Sequence, residues 1–86
     1  IGAAQAANEL LNIIGVKASF VVTQYQDDIY ISARSIDEVN VQLIMERLGG
    51  GGHMTIAGAQ LESGTPEYAI QIIKDTIDIM IQEGDL

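Results

Sequence analysis

Cysteine is absent from this chain. That removes a disulfide framework and any thiolate metal site, and it fits a reducing compartment. Basic residues are scarce: 4 Lys and Arg stand against 12 Asp and Glu, a formal net charge of −8. So acidic a surface argues against unaided binding along a nucleic-acid backbone, because phosphate contacts need a basic face. Any phosphate site must therefore be local. No apolar run approaches the length of a membrane span, and no stretch of these residues reads as a signal peptide. A starting methionine is also missing, since the sequence begins at Ile1, and a fragment of a longer protein is expected.

What remains is a globular composition. Hydrophobic residues make up 48% of 86 positions, with Ile and Val common and aromatics at 5%, which suits one folded domain with a modest core.

Helices and strands alternate along the chain. Ala3, Ala6, Ala7, Leu10, Leu11 and Ile14 keep helical spacing, and Gly15 follows as a stop. No Ser, Thr or Asp caps the start of this segment, so its beginning is expected upstream of Ile1. Phe20 to Tyr25 is rich in β-branched and aromatic residues and reads as a strand. Gln26-Asp27-Asp28 reads as a hairpin turn. In the strand that follows, Ile29, Ile31 and Ala33 alternate with Tyr30, Ser32 and Arg34. The second row is a solvated face on pattern alone.

Ser35 with Glu38 spells a capping box, but Asn40 is the better helix cap, with Val39 and Ile44 as its hydrophobic staple. Residues 35–39 then form a short connector. Val41, Ile44, Met45 and Leu48 make an apolar stripe that Gly49 closes. His53 to Ala57 suits one short helical turn, and Gly58 to Ser63 a further strand. The last helix opens on Thr65, Pro66 and Glu67, a cap, a first-turn proline and a dipole-matched carboxylate, and runs to about Gln82. Gln71, Lys74, Asp75, Asp78 and Gln82 form a narrow polar stripe. Ile70, Ile72, Ile73, Ile77, Ile79, Met80 and Ile81 cover most of the rest. So apolar a helix is either deeply buried or touches something outside this chain, such as a second copy.

Between these elements stands GGGGHMTIAGAQ, residues 49–60, with the only histidine beside four glycines. A helix cap needs one glycine, and a flexible linker usually mixes in serine. An anion cradle is the alternative. Glycines admit positive φ and let N–H groups converge on a ligand, a short helix at the loop's end would add its dipole, and a histidine can donate to a phosphate oxygen. Spacing alone does not choose between linker and cradle. No Lys-Ser/Thr follows, so this is no Walker motif, and no strand directly precedes it, so it is no dinucleotide fingerprint.

Gly50-Gly51-Gly52-His53, preceded by Ser32-Ala33-Arg34-Ser35 and Asn40-Val41, resembles the DHH-associated domain of the DHH phosphoesterases. The run from Ile31 through Gln60 is more specifically similar to the C-terminal lobe of bacterial cyclic-di-AMP phosphodiesterases. Oligoribonuclease-type and RecJ-type relatives are next. The resemblance implies an α/β domain, a small mixed sheet with helices packed on it, acting as the substrate-binding lobe of a two-lobed, manganese-dependent phosphodiesterase. The substrate would be a cyclic dinucleotide or a short oligonucleotide. It implies that Gly50, Gly51, Gly52 and His53 hold the phosphate or nucleotide end. Arg34 would face the same cleft, with Ser32 and Ser35 beside it. The manganese ligands would belong to the other, DHH lobe; a DHH triplet is impossible here with one histidine. Asp27-Asp28 is expected as a solvated turn and Asp37-Glu38 as a connector or cap. No catalysis and no metal are expected of this stretch alone. The expected setting is cytoplasmic, with any membrane anchor of the parent supplied upstream. A rival is the RNA-contacting module at the end of alanyl-tRNA synthetases, which would want a basic face. A purely structural interaction domain is third.

Overall fold

The computed structural model describes residues 5–13, 16–36 and 39–86, with burial described from residue 17 onward. Its elements are β1 (Gln5–Ile13), β2 (Val16–Tyr25), β3 (Asp28–Ser35), α1 (Val41–Arg47), β4 (Gly51–Gly52), β5 (Ile56–Leu61) and α2 (Pro66–Glu83). The strands form one sheet in the order β1-β2-β3-β5-β4. This is the α/β architecture expected. One detail differs: the sheet expected as mixed is antiparallel in every described pairing.

The core follows from period-two patterning. Ala18, Phe20 and Val22 on β2 and Ile29, Ile31 and Ala33 on β3 are buried, and their neighbours in sequence face the other way. Register joins them across the ladder as Phe20↔Ala33 and Val22↔Ile31. Val41, Ile44 and Met45 of α1 and Ala69, Ile73, Ile77 and Met80 of α2 complete the same cluster. Each large apolar side chain so buried contributes about 1.5–3 kcal/mol relative to exposure. Both helices therefore lie on one face of the sheet. The opposite face is left open, with Val21, Tyr30, Ser32, Arg34, Ile56 and Gln60 exposed.

The caps match their sequence signals. Asn40 accepts from the Leu43 N–H at 3.4 Å through Oδ1, and Thr65 from the Tyr68 N–H at 3.1 Å through Oγ1. Val39 and Ile44, the expected staple, are both buried. At the other end of α1 the Gly49 N–H donates to the Glu46 carbonyl at 3.1 Å and the Gly50 N–H to the Met45 carbonyl at 2.8 Å. This is a Schellman closure, and it requires Gly49 at φ 86°.

Four expectations are corrected. The helix expected over residues 3–14 is replaced by β1, which pairs with β2 from Gln5↔Gln24 to Ile13↔Val16. A helix of about a dozen residues is marginal without tertiary support, and here the edge of β2 offers a full ladder instead. Gly15, the expected stop, lies outside the described residues, as do Asp37 and Glu38. Asp28 belongs to β3, so the hairpin turn is the two residues Gln26-Asp27, with Gln26 at φ 56°. The expected strand over residues 58–63 begins earlier, at Ile56, and ends at Leu61. The helical turn expected over residues 53–57 is absent. Gly51 and Gly52 pair with β5 instead, and residues 53–55 form the tip of that hairpin.

Candidate nucleotide-binding face

Three sequence stretches meet at this hairpin tip. The Ser35 N–H donates to the Thr55 carbonyl at 2.9 Å, and the Val41 N–H donates to the Met54 carbonyl at 3.0 Å. The end of β3, the start of α1 and the segment just after the glycine-histidine motif are thus tied by backbone bonds between residues distant in sequence, Ser35 to Thr55 and Val41 to Met54. The first of these bonds is made by the Ser35 backbone. That residue sits at the strand end, half-buried and on the opposite parity from Ser32 and Arg34.

Ser32 and Arg34 project from the open face of β3. Arg34 lies in register with Ser19 on β2 and Ile56 on β5; Ser32 lies in register with Val21 and Gly58. Gly51 of β4 stands opposite Gly58 and extends the second row to the sheet edge. Ser19, Val21, Ser32, Arg34 and Ile56 line a shallow hollow of about 420 Å³. Among the described residues no carboxylate lies within ion-pairing distance of the Arg34 guanidinium, which is exposed. Its planar fork of donors is therefore available to an incoming anion.

The glycines divide by role. A Cβ on Gly50 would lie 2.0 Å from the Gly58 carbonyl oxygen, and one on Gly52, at φ 143°, 2.6 Å from the Ala57 Cα. Both positions are held to glycine by the close approach of β5. A Cβ on Gly51 would meet nothing within 4 Å, and its φ is not positive. Its lack of a side chain leaves bare backbone on the open face.

The cradle of converging amides expected at this loop is narrowed. Gly49 and Gly50 donate to Glu46 and Met45, and His53 donates to the Ile56 carbonyl at 2.7 Å. Antiparallel pairing alternates bonded and non-bonded residue pairs. With His53 bonded to Ile56, Gly52↔Ala57 is a non-bonded pair and Gly51↔Gly58 a bonded one. One amide of the run, that of Gly52, is left pointing off the free edge. No helix begins at residues 53–57, so the short helix expected at the loop's end does not supply a dipole there. The exposed His53 side chain follows directly. The polar groups left free to meet a ligand at this end of the open face are the exposed side chains of Arg34, Ser32 and His53 and the Gly52 N–H at the sheet edge.

A second hollow, of about 490 Å³, opens between α1 and α2 and is lined by Leu43, Glu46, Arg47, Met80 and Asp85. Its cation is already engaged. Arg47 Nη2 donates to Glu83 Oε1 and to Asp85 Oδ2, each at 2.6 Å. The bond to Glu83, opposed by desolvation, and the charges of both carboxylates raise the Arg47 pKa. This clamp was not legible in the sequence, where Arg47 and its partners stand 36 and 38 residues apart. Among the described residues, no group of three or more His, Asp or Glu side chains is placed to hold a metal ion. No helix among them is long and apolar enough to cross a membrane.

The fold and face together define a small, open-sided α/β domain with the exposed Arg34 on its open face. The DHHA1 domain profile matches residues 2–82, and the chain belongs to that family. It is 50% identical over 82 residues to the cyclic-di-AMP phosphodiesterase GdpP of Geobacillus thermodenitrificans, covering 94% of this chain and 12% of that protein. It is 49% identical over 77 residues to the cyclic-di-AMP phosphodiesterase PdeA of Listeria monocytogenes, covering 88% of this chain and 12% of that protein. GdpP of Bacillus subtilis matches at 46% over 82 residues, covering 94% of this chain. The match spans only 12% of the length of each of these relatives.

Proposed function

We propose that this domain is the substrate-binding lobe of a phosphodiesterase that acts on a cyclic dinucleotide or a short oligonucleotide. The observation that carries the reading is Arg34: an exposed guanidinium with no carboxylate partner among the described residues, on the open sheet face, in an otherwise acidic chain. Charge-assisted bonds from Arg34 would take a phosphate oxygen pair. The Ser32 hydroxyl, on the same face, and the Gly52 N–H at the edge would orient it, and His53 would donate a further bond. Cyclic di-AMP, for which these relatives are named, presents such phosphates.

The hydrolytic groups belong, in this reading, to a DHH lobe elsewhere in the parent protein. Manganese held there would supply the attacking water. This chain's own residues bind and orient, and the open sheet face is the side that meets the other lobe. Val21 and Ile56, 39% and 53% exposed, give that contact an apolar component. An RNA-contacting role is disfavoured by the net charge of −8, since it calls for an extended basic face.

Binding of cyclic di-AMP to the chain, followed by amide NMR, tests the reading. Resonances of Ser32, Arg34, Gly52 and His53 should shift together, and Arg34→Ala should weaken binding at least tenfold, about 1.4 kcal/mol. Unchanged affinity in Arg34→Ala would overturn it.

A further inference from the structure

The open face has a second edge beyond the anion site. Side chains on one strand face recur every second residue, so Tyr30 stands four residues from Arg34, about 13 Å along β3. Tyr30 is in register with Thr23 on β2 and Gln60 on β5. Between this row and the Arg34–Ile56 row runs the row of Val21, Ser32, Gly58 and Gly51. Its β5 and β4 members have no side chain, so on that side the sheet surface drops to bare backbone between two walls. Gly58 is fixed as glycine by its neighbour: a Cβ there would come within 2.9 Å of the Ile31 carbonyl oxygen. The trough is therefore built into the backbone and does not depend on a rotamer.

The walls differ in chemistry. One carries the Arg34 cation. The other carries an aromatic ring that is 42% exposed, beside the exposed Gln60 amide. A nucleotide is divided the same way, with an anionic phosphate at one end and a planar, hydrogen-bonding base at the other. The separation of the walls suits the two ends of one nucleotide when the long Arg34 side chain leans inward. A ring face stacks on a base whatever the base, and a glutamine amide offers a donor and an acceptor together, the pattern complementary to an adenine edge.

We propose that Tyr30 and Gln60 form a nucleobase subsite: the base lies over Gly58 against the Tyr30 ring, and Gln60 contacts its edge. This rests on the reading of Arg34 as the phosphate anchor and adds to it the group that recognises the base.

The test compares two probes on the intact chain, AMP and ribose 5-phosphate, which differ by the base. Affinities are read from amide NMR titrations, with melting curves as folding controls. AMP should shift Tyr30 and Gln60 resonances as well as those of Arg34 and His53; ribose 5-phosphate should shift only the latter pair. Tyr30→Val keeps a β-favouring residue in the strand. It should weaken AMP at least about fivefold, the low end of what one stacked base contributes, and leave ribose 5-phosphate within about twofold. Tyr30→Phe keeps the ring and should bind AMP as the parent does. If Tyr30→Val binds AMP normally while Arg34→Ala loses both probes, the base subsite is wrong and the phosphate anchor stands. If Arg34→Ala changes neither probe, or neither probe binds the parent, the anchor fails and the subsite with it.

Discussion

The N–H of His53 donates to the carbonyl of Ile56 at 2.7 Å. That bond makes the glycine run one side of a hairpin, and it turns the Gly52 amide away from β5 and toward the free edge. The four glycines consequently have different tasks: Gly49 closes a helix, Gly50 and Gly52 let β4 approach β5, and Gly51 leaves the open face bare.

Alanine at two adjacent glycines should separate folding from binding. Gly52→Ala places a methyl 2.6 Å from the Ala57 Cα at φ 143°. It should destabilise the domain by roughly 1–3 kcal/mol, seen as a lower urea midpoint. Gly51→Ala meets open space and should leave stability within about 0.5 kcal/mol while weakening phosphate binding. Equal melting of the two variants would show that β4 does not pair with β5 in this register.

Arg47 ties the end of α1 to the end of α2 through Glu83 and Asp85. Because its folded pKa is raised, the interaction is fully present below the unfolded pKa and is lost only as pH rises through the still higher folded value. It should therefore be constant across the neutral range. Arg47→Ala should speed hydrogen exchange at the Gly50 and Asp85 amides, which close the two helices, and the difference should shrink in 1 M salt, roughly a 3 Å screening length. Identical exchange with and without the guanidinium would mean that the clamp holds nothing.

The apolar surface of α2 splits into two populations. Ile77 is fully buried, whereas Ile79 is 49% exposed. Ile77→Ala should cost about 2–5 kcal/mol of unfolding free energy, and Ile79→Ala a few tenths. A large loss at Ile79 that varies with protein concentration would reveal a second copy covering that side, and light scattering would detect it.

Nucleotide binding should weaken as salt rises, with the shallow slope of one or two phosphate contacts, because Arg34 is the cation of the proposed site. Titration of AMP at 50 and 200 mM salt measures it. A slope corresponding to four or more contacts requires a basic track that 4 Lys and Arg in the whole chain do not provide.

Purified chain supplied with manganese should not turn over cyclic or linear dinucleotides. Sustained hydrolysis, followed by chromatography of the products, would contradict the assignment of the hydrolytic groups to another lobe.

Short-range chemistry was legible in the sequence. Asn40 and Thr65 cap helices because a side-chain oxygen reaches an amide three residues on, and the alternation in β3 separates a buried row from an exposed one, because both relations span only a few residues. The family followed from Ser32 to Ser35 read together with Gly50 to His53, and the fold brings the stretches close, with Ser35 bonded to Thr55 two residues past His53. Pairing was not legible. Residues 5–13 carry helical spacing, yet they form a strand because β2 has a long free edge, and a free edge is a property of the assembled sheet. The glycine run looked like a loop because nothing in its composition announces β5 as a partner. Arg34, Tyr30 and Gln60 acquire a common face only when β5 settles beside β3, with Gly58 opposite Ser32. Local propensity and capping act within a turn or two of chain; register, edges and ion pairs such as Arg47 with Glu83 are set by which distant backbones meet, and that was decided by the tertiary structure alone.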